Sequence, residues 1–594
     1  MKKFSISRSS FVGLCLSILV ALILLQMIRI ETSAQGRALT DNAVKNYEYV
    51  KQRVYPERGN IYDRWGHLLA GNEEVYEVGV DLSAVQNPET IAAVASSILG
   101  LNYNDVLQKA SVKYSQGVSE YTILTDFVSP AKIDQIKQIE ANYQNGPAGP
   151  QNKGDTSPSL SGLLWSPHLK RSYPENTVGS NILGFVSWRE RDKAQGYFGV
   201  EEKFNDLLSG TPKDIVVPVD PNKIQDIPTV PPGASLVLTI DREIQTMTEN
   251  TLDKYVKNTG SVSGTVIIEN PRNGEILAMA TTPRLDPNQY WDYAKLFPGS
   301  LSYNRAVGTT YEPGSVFKVL TMSAALDAGA VKPDTPFLDT GSIEVGGVTI
   351  YDWNRGAWGP QTMLTCMQNS LNVCLSWVAE QLGAKRFYAY LQAFGIGHKT
   401  NIDLGDEVLW PLSLPGDPDW FPANLATNSF GQGVAVTPIQ MVQAVSALAN
   451  DGKMMAPHVL KSVIQNGRQY DTAPQVIGSP LTAKGAHTIT ELLATSVEEE
   501  GSTAVVDGYR CAGKTGTAEI PTPYGYTSAQ TNASFVGWGP ADDPQFLVYI
   551  WLEKPKTSIW GSIVAAPLFH DVVQQLVVLM NIPPDSTRQK LSSP

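Results

Sequence analysis

Residues 304–328 constrain this chain more than any other stretch. The run from Asn304 through Arg305, Tyr311, Glu312, Pro313, Gly314, Ser315 and Lys318 leads directly into the apolar segment 319–328. Pro313 and Gly314 make a turn, and Ser315 then stands at or near the first turn of a helix. That helix is expected to continue through Val319, Leu320, Met322, Ala324, Ala325 and Leu326, with Gly329 placed to cap its end. Residues three apart share a helix face, so Lys318 lies beside Ser315. A serine hydroxyl is a weak nucleophile until a neighbour removes its proton. A lysine kept neutral by desolvation or by a nearby cation does that. The helix N-terminus also turns backbone N–H groups toward an anion forming near Ser315. The stretch reads as the nucleophile of an acyl transfer.

Ser-x-x-Lys is a common pattern, and Ser129-Pro-Ala-Lys132 matches it as well. There the proline directly after the serine makes Ser129 a helix cap with Pro130 at the first helical position, a structural role. The residues that follow, Ile133 to Lys137, form an amphipathic surface helix.

At 594 residues the chain accommodates two or three domains with sizeable cores. Its net charge of −12 and the absence of a basic block argue against nucleic-acid binding. There are four cysteines, Cys15, Cys366, Cys374 and Cys511, with no Cys-x-x-Cys pair, and the six histidines show no metal-ligand spacing. No metal and no cofactor is expected. Cys366 and Cys374 are eight residues apart, which on one helix would separate them by about 12 Å, too far for a disulfide. All four cysteines are therefore read as buried free thiols.

Residues 11–28 carry no charge, and Ser9 and Ser10 extend this to twenty residues, enough for a helix of about 30 Å that spans a bilayer core. Lys2, Lys3 and Arg8 place the N-terminus in the cytoplasm and export everything after Arg29. A cleaved signal peptide is the competing reading, with Thr32-Ser33-Ala34 as a passable cleavage site, but its apolar core is normally shorter. Residues 1–8 are thus a cytoplasmic tail and 9–29 a retained, single-pass anchor in the cytoplasmic membrane, with the rest extracytoplasmic.

Residues 30–234 lack strong periodicity and hold short apolar runs such as 75–82 and 121–127. The stretch 144–162, rich in Gly, Pro, Ser and Asn, reads as an exposed loop. Five prolines between 218 and 232 mark a domain boundary. Beyond it, 235–240 reads as a strand, and Asp241 caps a helix through Leu252. The runs 262–269 and 275–281 flank a turn and form a hairpin. Two more strands, 533–538 and 546–552, lie near the C-terminus, and the middle is helical in pattern. The expected fold class is α+β, an antiparallel sheet flanked by helices, spanning 235–582. The polar tail 583–594 is expected to be disordered.

Two further motifs follow Ser315 in order. Ser370-Leu371-Asn372 lies 55 residues on, and Lys514-Thr515-Gly516-Thr517 begins 142 residues after Asn372. This ordered set resembles penicillin-binding proteins and class A β-lactamases. The wider context is similar to class B penicillin-binding proteins, the membrane-anchored transpeptidases that cross-link peptidoglycan. The run from Arg58 through Asp63, Trp65 and Gly66 to Ala70 looks like that family's first N-terminal motif. Arg171-Ser-Tyr-Pro174 and Gly196-Tyr-Phe-Gly-Val-Glu201, continuing to Leu208 and Gly210, look like later ones. Asn304-Arg305-Ala306, Gly431-Gln-Gly433 with Thr437-Pro438, and Gly513 also fit. No glycosyltransferase domain precedes the pedestal, which argues against the bifunctional class A enzymes. The resemblance implies a β-lactamase/transpeptidase-like catalytic domain on an extended N-terminal pedestal, 30–234, of the family's dimerisation type, with one transmembrane helix.

The resemblance also assigns roles. Ser315 attacks the penultimate D-alanine of a stem peptide; Lys318 is the proton acceptor, with the identity of the base left open; Ser370 relays a proton, linked to Lys318 and Lys514. Asn372 holds the peptide backbone, and Lys514, Thr515, Gly516 and Thr517 face the terminal carboxylate. Backbone N–H groups of Ser315 and Thr517 are the implied oxyanion hole. β-Lactams would acylate Ser315, and the implied partners are a membrane-embedded glycan polymerase and other division or elongation proteins. A D,D-carboxypeptidase, a β-lactam-hydrolysing or sensing protein on the same fold, and a catalytically idle scaffold are the alternatives. Several residues are read as structural: Arg58 to Asp63 as a salt-bridged turn, Gly196, Gly199 and Gly210 as positive-φ positions, and Glu407 as lacking a deacylation motif. Trp353 and Asn354 stay outside the site set.

Overall fold

The structure is a computed structural model that describes residues 8–33, 37, 49–145, 158–190, 193–218, 230–299, 301–499, 501–522 and 525–592. The chain divides into two compact units, Met1–Glu57 with Ser209–Gly233, and Arg58–Leu208 with Ala234–Pro594. The first holds the helix Arg8–Thr32 and an antiparallel pair of strands, Tyr49–Val54 and Lys213–Pro218. Along the helix Leu16, Leu19, Leu22 and Leu25 are more than half exposed, an apolar surface that water does not favour. Most of the proline-rich boundary segment (219–229) and of the loop expected at 144–162 (146–157) lies outside the described residues.

The second unit contains two sheets. One is antiparallel and five-stranded, in the order Glu275–Thr281, Ser263–Asn270, Phe546–Glu553, Gly525–Gly539, Ala512–Thr522. The expected hairpin and the two expected C-terminal strands are thus adjacent, with Ile267 opposite Tyr549. Strand alternation sends Val266, Ile268, Val548 and Ile550 to one face and Ile267, Tyr549 and Trp551 to the other, and both faces are buried. The first face is covered by the helix Ala566–Leu579 through Phe569, Val572, Val573 and Leu576. The stretch Gly561–Leu579 is long and apolar enough to cross a bilayer, but this packing makes it a core helix. The second face receives Val316, Phe317, Val319 and Leu320 from the segment that carries Ser315.

The other sheet runs Arg468–Asp471, Leu460–Gln465, Ser235–Leu238, Ile61–Tyr62, Leu68–Asp81, Tyr121–Val128, with Leu163–Ser172 also pairing on Leu68–Asp81. The strand placed at the start of the catalytic domain therefore joins this sheet, pairing in parallel with Ile61–Tyr62. This sheet thus draws strands from both sides of the boundary expected at 234/235. Backbone contact holds the seam: a Cβ on Gly59 would lie 1.8 Å from the Ala234 carbonyl oxygen. After it, Asp241 caps its helix as expected, accepting from Glu243 and Ile244 N–H groups, but the helix runs on to Thr259, where Gly260 in the left-handed region ends it.

Arg58, Arg171 and Glu201, drawn from three separate motifs, meet in the interior. Arg58 Nε donates to Glu201 Oε2 and Arg171 Nε donates to Glu201 Oε1, each at 2.7 Å. All three residues are buried. Burial pushes the Glu201 carboxyl up, but the two guanidiniums outweigh it and hold it below its ordinary value. The motif around Arg58 is thus not a self-contained salt-bridged turn. Arg58 pairs with Glu201, and Asp63 pairs with His67. Gly199 and Gly210 take positive φ, whereas Gly196 does not. Its requirement is steric, since a Cβ there would lie 1.9 Å from the Glu201 carbonyl oxygen.

Ser129 precedes the helix Pro130–Asn145, with its carbonyl accepting from Lys132 and Ile133. Two other expectations are corrected. Cys366 and Cys374 form a disulfide, with Cα atoms 6.1 Å apart. They sit on two helices, Met363–Gln368 and Asn372–Leu382, and the chain breaks between them at Ser370 (φ +53°). The one-helix spacing does not apply. The tail expected to be disordered carries the helix Asp585–Ser592. Asp585 accepts from the Arg510 N–H, and Arg588 pairs with Asp542 and Asp585.

Two outcomes check this description. Digestion with trypsin of alkylated but unreduced protein should yield peptide 356–385 unalkylated and two hydrogens lighter than its reduced form. Recovery with both thiols alkylated would exclude the bond. Glu201→Gln leaves two buried guanidiniums without their carboxylate and should lower stability by about 3–5 kcal/mol in denaturant titrations. Because the Glu201 pKa is depressed in the folded state, its stabilisation is present above the ordinary carboxylate range and fades as pH falls through the depressed value.

Candidate active site

Ser315 lies on a 3-10 turn, Gly314–Phe317, and the α-helix begins only at Lys318 and runs to Asp327. The tighter turn keeps the expected geometry, because residues three apart eclipse in a 3-10 helix. Ser315 is half-buried and Lys318 fully buried. Lys318 Nζ lies 2.6 Å from the Ser370 carbonyl oxygen, 3.2 Å from Ser370 Oγ and 2.8 Å from Asn372 Oδ1. Burial drives the Lys318 pKa well below the ordinary lysine value, and the charge of Lys514 adds to that shift while Asp352 opposes it.

Ser370 and Asn372 reach Lys318 from the junction of the two disulfide-linked helices. Ser370 is the left-handed residue there, a conformation that costs about 1–3 kcal/mol unless its surroundings enforce it. Asn372 opens the second helix. Its Oδ1 faces Lys318 and its Nδ2 donates to the Tyr351 carbonyl at 3.2 Å.

The third motif lies on Ala512–Thr522, at the edge of the five-stranded sheet. Sequence reading did not assign this segment to a strand. Lys514, nearly buried, donates to Thr515 O and Oγ1 at 3.2 and 3.3 Å. Thr517 Oγ1 accepts from the Gly561 N–H at 3.0 Å, a contact with no sequence signal.

Glycine decides how close this strand comes to the nucleophile turn. A Cβ on Gly516 would lie 2.2 Å from Ser534 Oγ and 2.9 Å from Val316 Cγ1. Gly314 has φ +59° and its Cβ would meet Ala518 at 2.8 Å. Behind it the Gly314 N–H donates to Gly431 O at 3.0 Å. The eight expected residues, Ser315, Lys318, Ser370, Asn372, Lys514, Thr515, Gly516 and Thr517, therefore come from one turn-and-helix, one helix junction and one edge strand that converge.

Residues 264–574 match the penicillin binding protein transpeptidase domain, and residues 53–232 match the penicillin-binding protein dimerisation domain. The chain belongs to the class B penicillin-binding proteins. It is 33% identical over 547 residues to stage V sporulation protein D of Bacillus subtilis, covering 89% of this chain and 79% of that protein. It is 32% identical over 541 residues to the probable peptidoglycan D,D-transpeptidase PbpC of Pseudomonas aeruginosa, covering 89% of this chain and 88% of that one. In fold it resembles penicillin binding protein 2X of Streptococcus thermophilus, with a TM-score of 0.74 and 23% identity over 89% of this chain and 80% of the other.

Two residues left aside in this penicillin-binding protein have definite places. Glu407 is committed to its own loop: Oε1 accepts from Thr400 N–H and Oγ1 at 2.6 Å each, and Oε2 from the Asn401 N–H. Trp353 is half-exposed, donates Nε1–H to Asn369 O, and meets Trp560 edge-on with ring centroids 5.5 Å apart. Asp339 and Asp352, both buried beside the second motif, were missed because isolated aspartates in a loop-rich stretch carry no pattern.

Gly516→Ala should lower stability by about 1–3 kcal/mol and slow covalent labelling of Ser315, read by thermal denaturation and by the rate of mass gain with a penicillin. Wild-type behaviour in both would mean that strand and turn do not touch.

Proposed function

We infer that this chain is a serine D,D-transpeptidase that cross-links peptidoglycan stem peptides through an acyl-enzyme on Ser315, and that β-lactams acylate the same serine. The observation that carries this reading is Lys318, a fully buried amine one short turn from Ser315 and held by Ser370 and Asn372. Desolvation favours the neutral amine. A neutral amine has two N–H bonds for the Ser370 carbonyl and Asn372 Oδ1, and a lone pair that can take the Ser315 proton.

In the first half-reaction Ser315 Oγ bonds to the carbonyl carbon of the penultimate D-alanine as its proton passes to Lys318. The C–N bond to the last D-alanine then breaks, and the leaving amine takes a proton through Ser370. Backbone N–H groups of Ser315 and Thr517 stabilise the oxyanion, each contributing about 2.7–4 kcal/mol in the transition state. An edge strand has N–H groups outside the sheet ladder, which suits Thr517 to this role. Lys514, with Thr515 and Thr517, attracts the terminal carboxylate, and Gly516 lets the strand approach. In the second half-reaction an amine of a neighbouring stem attacks the ester and releases Ser315.

Residues 235–582 are the catalytic portion in this reading and 30–234 the pedestal. The helix Arg8–Thr32 anchors the chain in the cytoplasmic membrane, with its N-terminus inside and the catalytic portion outside. A membrane-embedded glycan polymerase and other division or elongation proteins are its partners. The engagement of Glu407 in its own loop weighs against rapid hydrolytic deacylation.

Intact-mass analysis after mixing with a penicillin is the test. A persistent adduct mapping to Ser315, absent in Ser315→Ala, is expected. An adduct that disappears as the drug is consumed would move the assignment to a hydrolase. A folded sample that forms no adduct would leave the site idle.

A further inference from the structure

The site has an aromatic boundary that the reaction scheme does not use. Trp353 lies in the loop between the strands Val348–Tyr351 and Gly359–Gln361, and Trp560 immediately precedes the short helix Gly561–Val564. Their rings meet edge-on, with 5.5 Å between centroids and 73° between planes, and Trp358 adjoins Trp353 at 5.9 Å. Trp353 and Trp560 are 51% and 40% exposed. Rings of this size, left open to water, gain from being covered by an apolar group.

Each ring is fastened to a different wall of the site. Trp353 donates Nε1–H to the Asn369 carbonyl at 3.1 Å, one residue before Ser370. That bond uses the one donor of the indole, so what Trp353 still offers is its apolar face. Trp560 leads into Gly561, whose N–H donates to Thr517 Oγ1 at 3.0 Å. The backbones there come close, since a Cβ on Gly561 would lie 2.2 Å from the Gly516 carbonyl oxygen. The ring contact therefore joins the Ser370 junction to the edge strand at Thr517.

Thr517 locates the pair along the substrate. In the scheme above, Lys514, Thr515 and Thr517 take the terminal carboxylate, which belongs to the departing D-alanine. The tryptophans thus border the side on which the leaving amine departs. By microscopic reversibility the incoming amine reaches the ester from that same side. An amine at the end of a hydrocarbon arm suits the rings in two ways. Its methylenes pack on an apolar face, and as an ammonium it is drawn to the negative face of the indole.

We propose that Trp353 and Trp560 form the acceptor subsite, holding the aliphatic arm of a neighbouring stem's amine against the Ser315 ester. This rests on the Ser315 acyl-enzyme reading. The ammonium arrives on the rings and gives one proton to solvent. The neutral nitrogen then bonds to the ester carbonyl carbon, the C–O bond to Ser315 breaks, and the surplus proton on nitrogen passes through Lys318 to Ser315 Oγ. Water competes for the same ester, and an arm packed on the rings excludes it from that side.

The test measures how one acyl-enzyme divides between the two nucleophiles. The full chain in detergent is given an N-acyl-D-alanyl thioester as donor, with Nα-acetyl-lysine or glycine as acceptor, and the amide and acid products are quantified. Nα-acetyl-lysine carries its amine on a long methylene arm and glycine does not, so wild type should give the higher amide-to-acid ratio with Nα-acetyl-lysine. Trp353→Ala and Trp560→Ala should each lower that ratio about threefold to tenfold, with less effect on the glycine ratio. Trp353→Phe and Trp560→Phe keep an aromatic face and should retain most of it. A variant that merely loosens the site slows both products together and leaves the ratio unchanged. That outcome in both alanine variants would overturn the proposal, as would hydrolysis alone in wild type with either amine. Failure of wild type to form an acyl-enzyme at all would instead reject the Ser315 reading on which the subsite depends.

Discussion

Lys318 sits fully buried, and the proposed acylation asks of it an amine without its proton, a requirement that the surrounding structure suits. An exposed lysine would remain protonated at neutral pH and could accept nothing from Ser315. Taking the amine out of water reverses this, but only if its N–H groups find acceptors, because an unsatisfied buried polar group is strongly unfavourable. The Ser370 carbonyl and Asn372 Oδ1 supply them. Those acceptors depend on the helix junction at Ser370, on the Cys366–Cys374 bond that brackets it, and on Tyr351 and Asp352, which hold the Asn372 end of the second helix.

The remaining wall of the site is set by contact distance. The Lys-Thr-Gly strand lies against the nucleophile turn because Gly314 and Gly516 present no side chain to each other's neighbours, and Gly431 carries the same closeness behind the turn. A strand held this close keeps Lys514 near enough to influence Lys318. The same device recurs away from the site, where Gly59 and Gly196 let backbones touch and Arg58, Arg171 and Glu201 lock three distant segments together. A buried cluster of this kind is unforgiving, since removal of one member leaves uncompensated charge. This explains why charged residues recur in motifs that take no part in chemistry.

Local pattern determined a good deal of this protein. The Pro-Gly turn before Ser315, the Asp241 cap, the hairpin around residue 270 and the strand at 546–552 all follow from short-range rules of turns, caps and alternation. The order of the three motifs was likewise sufficient to name the family. Three features resisted the same reading. The strand at 235–238 has an ordinary strand pattern, but which sheet it joins depends on where the backbone at Gly59 passes. The spacing of Cys366 and Cys374 excludes a bond only while one straight helix is assumed, and the left-handed Ser370 between them has no local signature. The tail at 585–592 is polar except for Leu591, and its helix is held by Arg510 and Asp542, both more than forty residues earlier in the chain.

By itself the sequence determined the three ordered motifs and several of the short elements around them, because turn and cap signals act over a few residues. Only the tertiary structure decided that Lys318 is dehydrated, that Glu407 is engaged elsewhere, and that Asp352 accepts from the Val373 N–H at the start of the Asn372 helix. These depend on burial and on contacts between segments far apart in the chain. Dielectric surroundings and neighbouring charge are properties of the packed interior, and no local stretch of residues encodes them.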